Sequence, residues 1–131
     1  MKRILIFLLV LVGLFGLYKL ISIKPDTVQQ NYDNPDLVLY WGVGCSHCEV
    51  VKDFITNNSV DQKLKINQKE VFNDNQNQQE FENTIKNYCP ELNNGQGIGV
   101  PVIFDTNDKK CVQGDQPIID LITQKMGQNN K

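Results

Sequence analysis

Four cysteines and one histidine are the residues of this 131-residue chain whose types best suit chemistry. Cys45 and Cys48 form a C-x-x-C pair, and the histidine, His47, lies between them. Such a pair can hold zinc, attach haem or cycle between dithiol and disulfide. Haem attachment needs a histidine directly after the second cysteine, where this chain has Glu49. A four-ligand zinc site needs a second close pair, whereas Cys89 and Cys111 are far apart with no histidine beside them. Redox chemistry needs the first cysteine at a helix start, where unpaired N–H groups and partial positive charge stabilise a thiolate. Cys45 would then attack or be attacked, and Cys48, one turn inward, would resolve the mixed disulfide.

The elements around the pair supply that setting. Leu37-Val38-Leu39-Tyr40-Trp41 is an apolar run of the kind that forms a buried strand. Gly42 and Gly44 make a turn, and Cys45 opens a helix with Val50, Val51, Phe54 and Ile55 at helical spacing, stopped by Asn57-Asn58-Ser59. Residues 63–72 alternate as a second strand. Asp74 caps a helix running to Tyr88, with Phe81, Ile85 and Tyr88 on one face, and Cys89-Pro90 ends it. Residues 95–99 form a glycine-rich loop, Val100–Phe104 a third strand, and Cys111-Val112 part of a fourth. Gly114-Asp115 caps a last helix carrying Ile118, Ile119, Leu121 and Ile122. The order β-α-β-α-β-β-α implies an α/β domain with a four-stranded mixed sheet and helices on both faces.

Residues 4–23 are an apolar run whose only charge is Lys19. About 20 such residues span a hydrocarbon core of ~30 Å. A cleaved signal peptide has a shorter apolar region of ~7–15 residues and a small-residue cleavage site, and the chain contains no alanine. The expected organisation is a membrane anchor at 1–23, a polar linker at 24–36, a domain at 37–127 and a polar tail at 128–131. Lys2 and Arg3 favour a cytoplasmic N-terminus in a single-pass cell-membrane protein, with the domain on the extracytoplasmic side. A formal net charge of −2 argues against a nucleic-acid partner.

Strand-YWGVGCSHC-helix, followed about fifty residues later by Gly99-Val100-Pro101 opening a strand, resembles the thioredoxin superfamily. The size is closest to its glutaredoxin-like minimal form. The resemblance covers residues 36–127 and implies a thioredoxin-like fold with a cis peptide bond before Pro101. It also implies that the Val100 backbone pairs with an extended substrate segment. Val100, Pro101 and Trp41 are the expected substrate-binding residues. A histidine before the second cysteine is similar to that of protein disulfide isomerases and periplasmic dithiol oxidases. When protonated it favours the Cys45 thiolate and makes the disulfide a better oxidant. Gly44 stands where thioredoxins carry a tryptophan, and the Leu37–Trp41 strand has no carboxylate to act as a base beneath Cys48, leaving water, Glu49 or Lys52 for proton transfer. Gly114-Asp115 resembles the pair with which glutaredoxins bind glutathione, although an N-cap role also explains Asp115.

Cys89 and Cys111 admit three readings: a structural disulfide, two reduced buried cysteines, or a second redox pair. A disulfide there would close a loop of ~20 residues and stabilise the domain by ~3 kcal/mol. The function expected is a membrane-anchored thiol–disulfide oxidoreductase with Cys45, Cys48 and His47 as catalytic residues and no metal or organic cofactor. Its partners would be cysteines of extracytoplasmic proteins, a redox partner protein and, as a candidate, glutathione. Oxidase or isomerase activity is favoured over reductase. A soft-metal module holding Cu(I) on the C-x-x-C pair and a non-catalytic interaction domain are the alternatives.

Overall fold

The computed structural model describes residues 31–93, 95 and 97–128. The expected anchor, linker residues 24–30 and tail residues 129–131 lie outside them. Among the described residues, no helix is long and apolar enough to cross a membrane.

Four strands, β1 (Leu37–Trp41), β2 (Ile66–Glu70), β3 (Val102–Asp105) and β4 (Lys110–Gln113), form one sheet in the order β2-β1-β3-β4. β1 runs parallel to β2 and antiparallel to β3, and β3 runs antiparallel to β4, so the sheet is mixed. Helices α1 (Ser46–Asn57), α2 (Asn75–Tyr88) and α3 (Asp115–Gln128) complete the order read from the sequence. Successive side chains of a strand point to opposite faces, and β1 is buried on both. Leu37 and Leu39 join Val51, Ile55, Ile103, Ile118 and Ile122 beneath α1 and α3. Val38 and Tyr40 join Phe81, Ile85, Val102 and Phe104 beneath α2.

Several boundaries differ from those expected. β2 is shorter than 63–72, because a short helical turn at Val60–Gln62 precedes it and its register with β1 ends at Glu70, opposite Trp41. β3 starts at Val102, so Val100 and Pro101 precede the strand. Val50 is 48% exposed, since the stripe of α1 that meets the sheet is Cys48, Val51 and Ile55. Tyr88 is also largely exposed, with its ring 5.1 Å from that of Phe104. Residues 31–36 are docked on the domain: the Asn67 carboxamide exchanges two hydrogen bonds with the Tyr32 backbone, and Thr106 Oγ1 donates to the Pro35 carbonyl.

Capping follows the sequence at α2, where Asp74 accepts the N–H groups of Gln76 and Asn77 and starts a helix whose first turn is wholly polar. At α3 it does not. Asp115 is the first helical residue, and the chain enters through Gly114 at φ +95°.

The polar groups buried within this frame include the Tyr40 hydroxyl and the Asp105 carboxylate. Tyr40 shares its hydroxyl with Thr84 and Glu80, and burial pushes its titration well above the ordinary range. Asp105, 2% exposed, pairs with Lys125 at 2.5 Å while its Oδ1 accepts the N–H groups of Asn107 and Asp108. Asp105 sits opposite Leu37, at the end of the sheet remote from the Cys45–Cys48 pair.

Candidate redox site

The site forms where β1 ends. The Cys45 N–H bonds the Gly42 carbonyl at 3.2 Å, closing a turn that uses Gly44 at φ +78°, a conformation glycine adopts without penalty. A side chain at Gly42 would collide with the Phe72 ring, which covers it. Cys45 is the N-cap of α1 in extended geometry (φ −84°, ψ 107°), and its Sγ accepts the Cys48 N–H at 3.2 Å. Sulfur here takes the place that an aspartate or serine oxygen fills at other helix starts.

Cys45 and Cys48 are joined by a disulfide, with Cα atoms 5.2 Å apart. Their exposure differs: Cys45 is half-buried, whereas Cys48 is wholly buried. An incoming thiolate can therefore reach only Cys45 directly. The Cys45 Sγ lies 3.5 Å from the Val100 carbonyl oxygen. In the disulfide this is a contact, and a Cys45 thiol would donate across it. The Val100–Pro101 peptide bond is cis, and Pro101 is buried. Two bonds pin this segment: Gln113 Nε2 donates to the Gly99 carbonyl at 2.7 Å, and the Gly114 N–H to the Pro101 carbonyl at 3.0 Å.

His47 Nδ1 lies 2.9 Å from Asp115 Oδ2, joining α1 to α3, and the side chain is 70% exposed. The hydrogen bond from His47, followed by that from the Gln116 N–H, holds the Asp115 carboxyl below the usual carboxylate range. Trp41 is buried, with Lys52 Nζ 4.0 Å from its ring centroid, so it offers little surface to a substrate. Lys52 also pairs with Glu49 at 3.4 Å.

No protein-family model, curated protein or solved structure matches the chain. The α/β architecture and the Cys45–Cys48 disulfide at a helix start are compatible with a thioredoxin-like fold and with redox chemistry.

Cys89 and Cys111 are also bonded, tying the end of α2 to β4. Cys89 is wholly buried and Cys111 is half-buried against the same core. A cleft of about 300 Å³, lined by Phe72, Phe81, Glu82, Ile98 and Val100 among others, opens beside the Val100 segment.

Glu70, which the sequence reading missed, also belongs to this neighbourhood. Its carboxylate accepts the backbone N–H of Val43, two residues before Cys45. Burial works to raise this carboxyl, but N–H donors from Asn73, Phe72 and Val43 outweigh it and hold the group below its ordinary value. Only the β1–β2 register, with Trp41 opposite Glu70, brings it there.

Proposed function

We propose that the protein is a thiol–disulfide oxidoreductase of the thioredoxin superfamily, anchored in the membrane by residues 4–23 and acting on cysteines of extracytoplasmic proteins. One observation carries this reading: a half-exposed Cys45 at the helix N-cap, bonded to a wholly buried Cys48 and touching the carbonyl before a cis-proline. A client thiolate attacks Cys45 Sγ, and Cys48 leaves as a thiolate that takes up a proton. The client's second thiolate then attacks its own sulfur in the mixed disulfide, and Cys45 leaves as a thiolate. Two electrons pass to the protein and the client gains a disulfide. A redox partner protein reverses these steps to restore the Cys45–Cys48 bond.

The helix start favours the Cys45 thiolate, hence the reduced protein, hence an oxidising disulfide. That supports oxidase or isomerase activity over reductase. The Val100 backbone would pair with the extended client chain, and the neighbouring cleft has room for a client side chain. The decisive experiment equilibrates the protein in glutathione buffers and follows each cysteine by alkylation and peptide mass spectrometry. A Cys45–Cys48 potential near −120 to −180 mV supports oxidase or isomerase activity, and one near −270 mV a reductase. A pair that never exchanges removes the proposal.

A further inference from the structure

Glu70 ends β2 directly across the ladder from Trp41, the last residue of β1. Its Oε1 accepts the Val43 N–H at 3.2 Å and the Phe72 N–H at 2.9 Å, and its Oε2 accepts the Asn73 N–H at 2.8 Å. The Phe72 and Asn73 bonds are local ones, of the kind acidic side chains make at chain turns. The Val43 bond is different, because it crosses 27 residues of sequence. It joins the loop leaving β2 to the loop that delivers Cys45. Val43 lies inside the turn closed by the Cys45 N–H on the Gly42 carbonyl, and the Phe72 ring covers the same turn at Gly42. Two glycines make such a turn intrinsically loose, and the Val43 side chain is 59% exposed and packs little.

We propose that Glu70 is the positioning residue of the dithiol: its carboxylate fixes the Gly42–Cys45 turn so that Cys45 Sγ stays within reach of the Cys48 N–H. The proposal rests on the reading of Cys45 as the reactive thiol. The 3.2 Å Cys48 N–H···Sγ bond stabilises a thiolate only while the cap geometry holds. Glu70 touches neither sulfur in any hydrogen bond, so it acts through the backbone. Its negative charge alone would disfavour a nearby thiolate. Positioning and bare charge therefore act on Cys45 with opposite signs, and the two can be separated.

The experiment uses the reduced full-length protein in detergent micelles and measures the iodoacetamide rate at Cys45, at pH 7, in wild type, Glu70→Gln and Glu70→Asp. Gln keeps the length but replaces one acceptor oxygen, whereas Asp keeps the charge but shortens the reach. Both variants should react about tenfold more slowly than wild type, the loss expected from one weakened hydrogen bond to a charged group. Circular dichroism and an intact Cys89–Cys111 bond should show that each remains folded. Variants reacting at the wild-type rate overturn the proposal, as does a faster Gln variant beside an unchanged Asp variant. Val43 N–H exchange in the wild type is a second reading: slow exchange supports the clamp, and free exchange overturns it whatever the variants do. A wild-type Cys45 no more reactive than glutathione overturns the oxidoreductase reading and this proposal together.

Discussion

His47 Nδ1 and Asp115 Oδ2 stand 2.9 Å apart, so the residue just before the second cysteine of the pair is tied to the first turn of α3. Because the His47 hydrogen bond is the largest influence lowering the Asp115 carboxyl, the pair can be tested from the aspartate side. The Asp115 carboxyl carbon, followed by NMR, should titrate below the ordinary 3.8 in the wild type and move back toward it in His47→Ala. The sign follows from linkage: a depressed carboxylate holds the link at neutral pH and loses it as pH falls through the folded value. An Asp115 midpoint that ignores His47 would sink the idea of a coupled pair.

The contrast in exposure between Cys45 and Cys48 predicts how single-cysteine variants behave. Cys48→Ser should accumulate a mixed disulfide between Cys45 and an oxidised client protein, because the buried resolving sulfur is gone. Cys45→Ser should capture no client. Non-reducing gels with peptide mapping check both, and capture through Cys48 would reverse the assigned roles.

The Cys89–Cys111 bond should survive glutathione conditions that reduce Cys45–Cys48, since Cys89 caps the C-terminal end of α2, where the helix dipole disfavours a thiolate, whereas Cys45 caps a helix start. A Cys89→Ser/Cys111→Ser double variant should lose about 3 kcal/mol of unfolding free energy, from the loop it no longer closes. Its Cys45 alkylation rate should stay at the wild-type value. Joint titration of the two pairs would argue for a second redox couple instead.

Asp105 and Lys125 predict an acid limb in the stability curve. Desolvation works to raise the Asp105 carboxyl, yet hydrogen bonds from Lys125 and from the Asp108 and Asn107 backbone outweigh it, leaving the carboxyl below its ordinary 3.8. A lowered carboxylate adds stability above its unfolded-state value and loses it as pH falls through the folded one. Urea unfolding should therefore weaken below about pH 4. Asp105→Asn should flatten that limb and cost about 2 kcal/mol at neutral pH, because Lys125 keeps only Asp108, at 3.1 Å, as a charged partner among the described residues. Parallel curves for the two proteins would contradict this assignment.

The order of elements and the strand–turn–helix around Cys45 were legible because apolar runs and paired glycines are written in adjacent residues, whereas the cis bond before Pro101 was implied only by the resemblance those residues carry. Val50 misled because helical spacing shows a stripe of apolar residues but not its centre, which the contact with the sheet sets. Asp115 was read as a cap because the sequence does not show that Gly114 already turns the chain. Its link to His47 spans 68 residues, and the Glu70 clamp depends on strand register, so neither leaves a local trace. The hydrogen bonds of residues 31–36 to Asn67 and Thr106 leave no trace in hydropathy either.

The Cys89–Cys111 bond also makes the stretch between them a covalent ring, and Val100 and Pro101 lie inside it. A protease that cuts once anywhere from Pro90 to Lys110 opens the ring without dividing the molecule. The severed end keeps its attachment through sulfur, and the cis-proline segment remains on the same covalent body as Cys45. In a compartment where exposed loops are cut, such a nick is a scar and not an amputation.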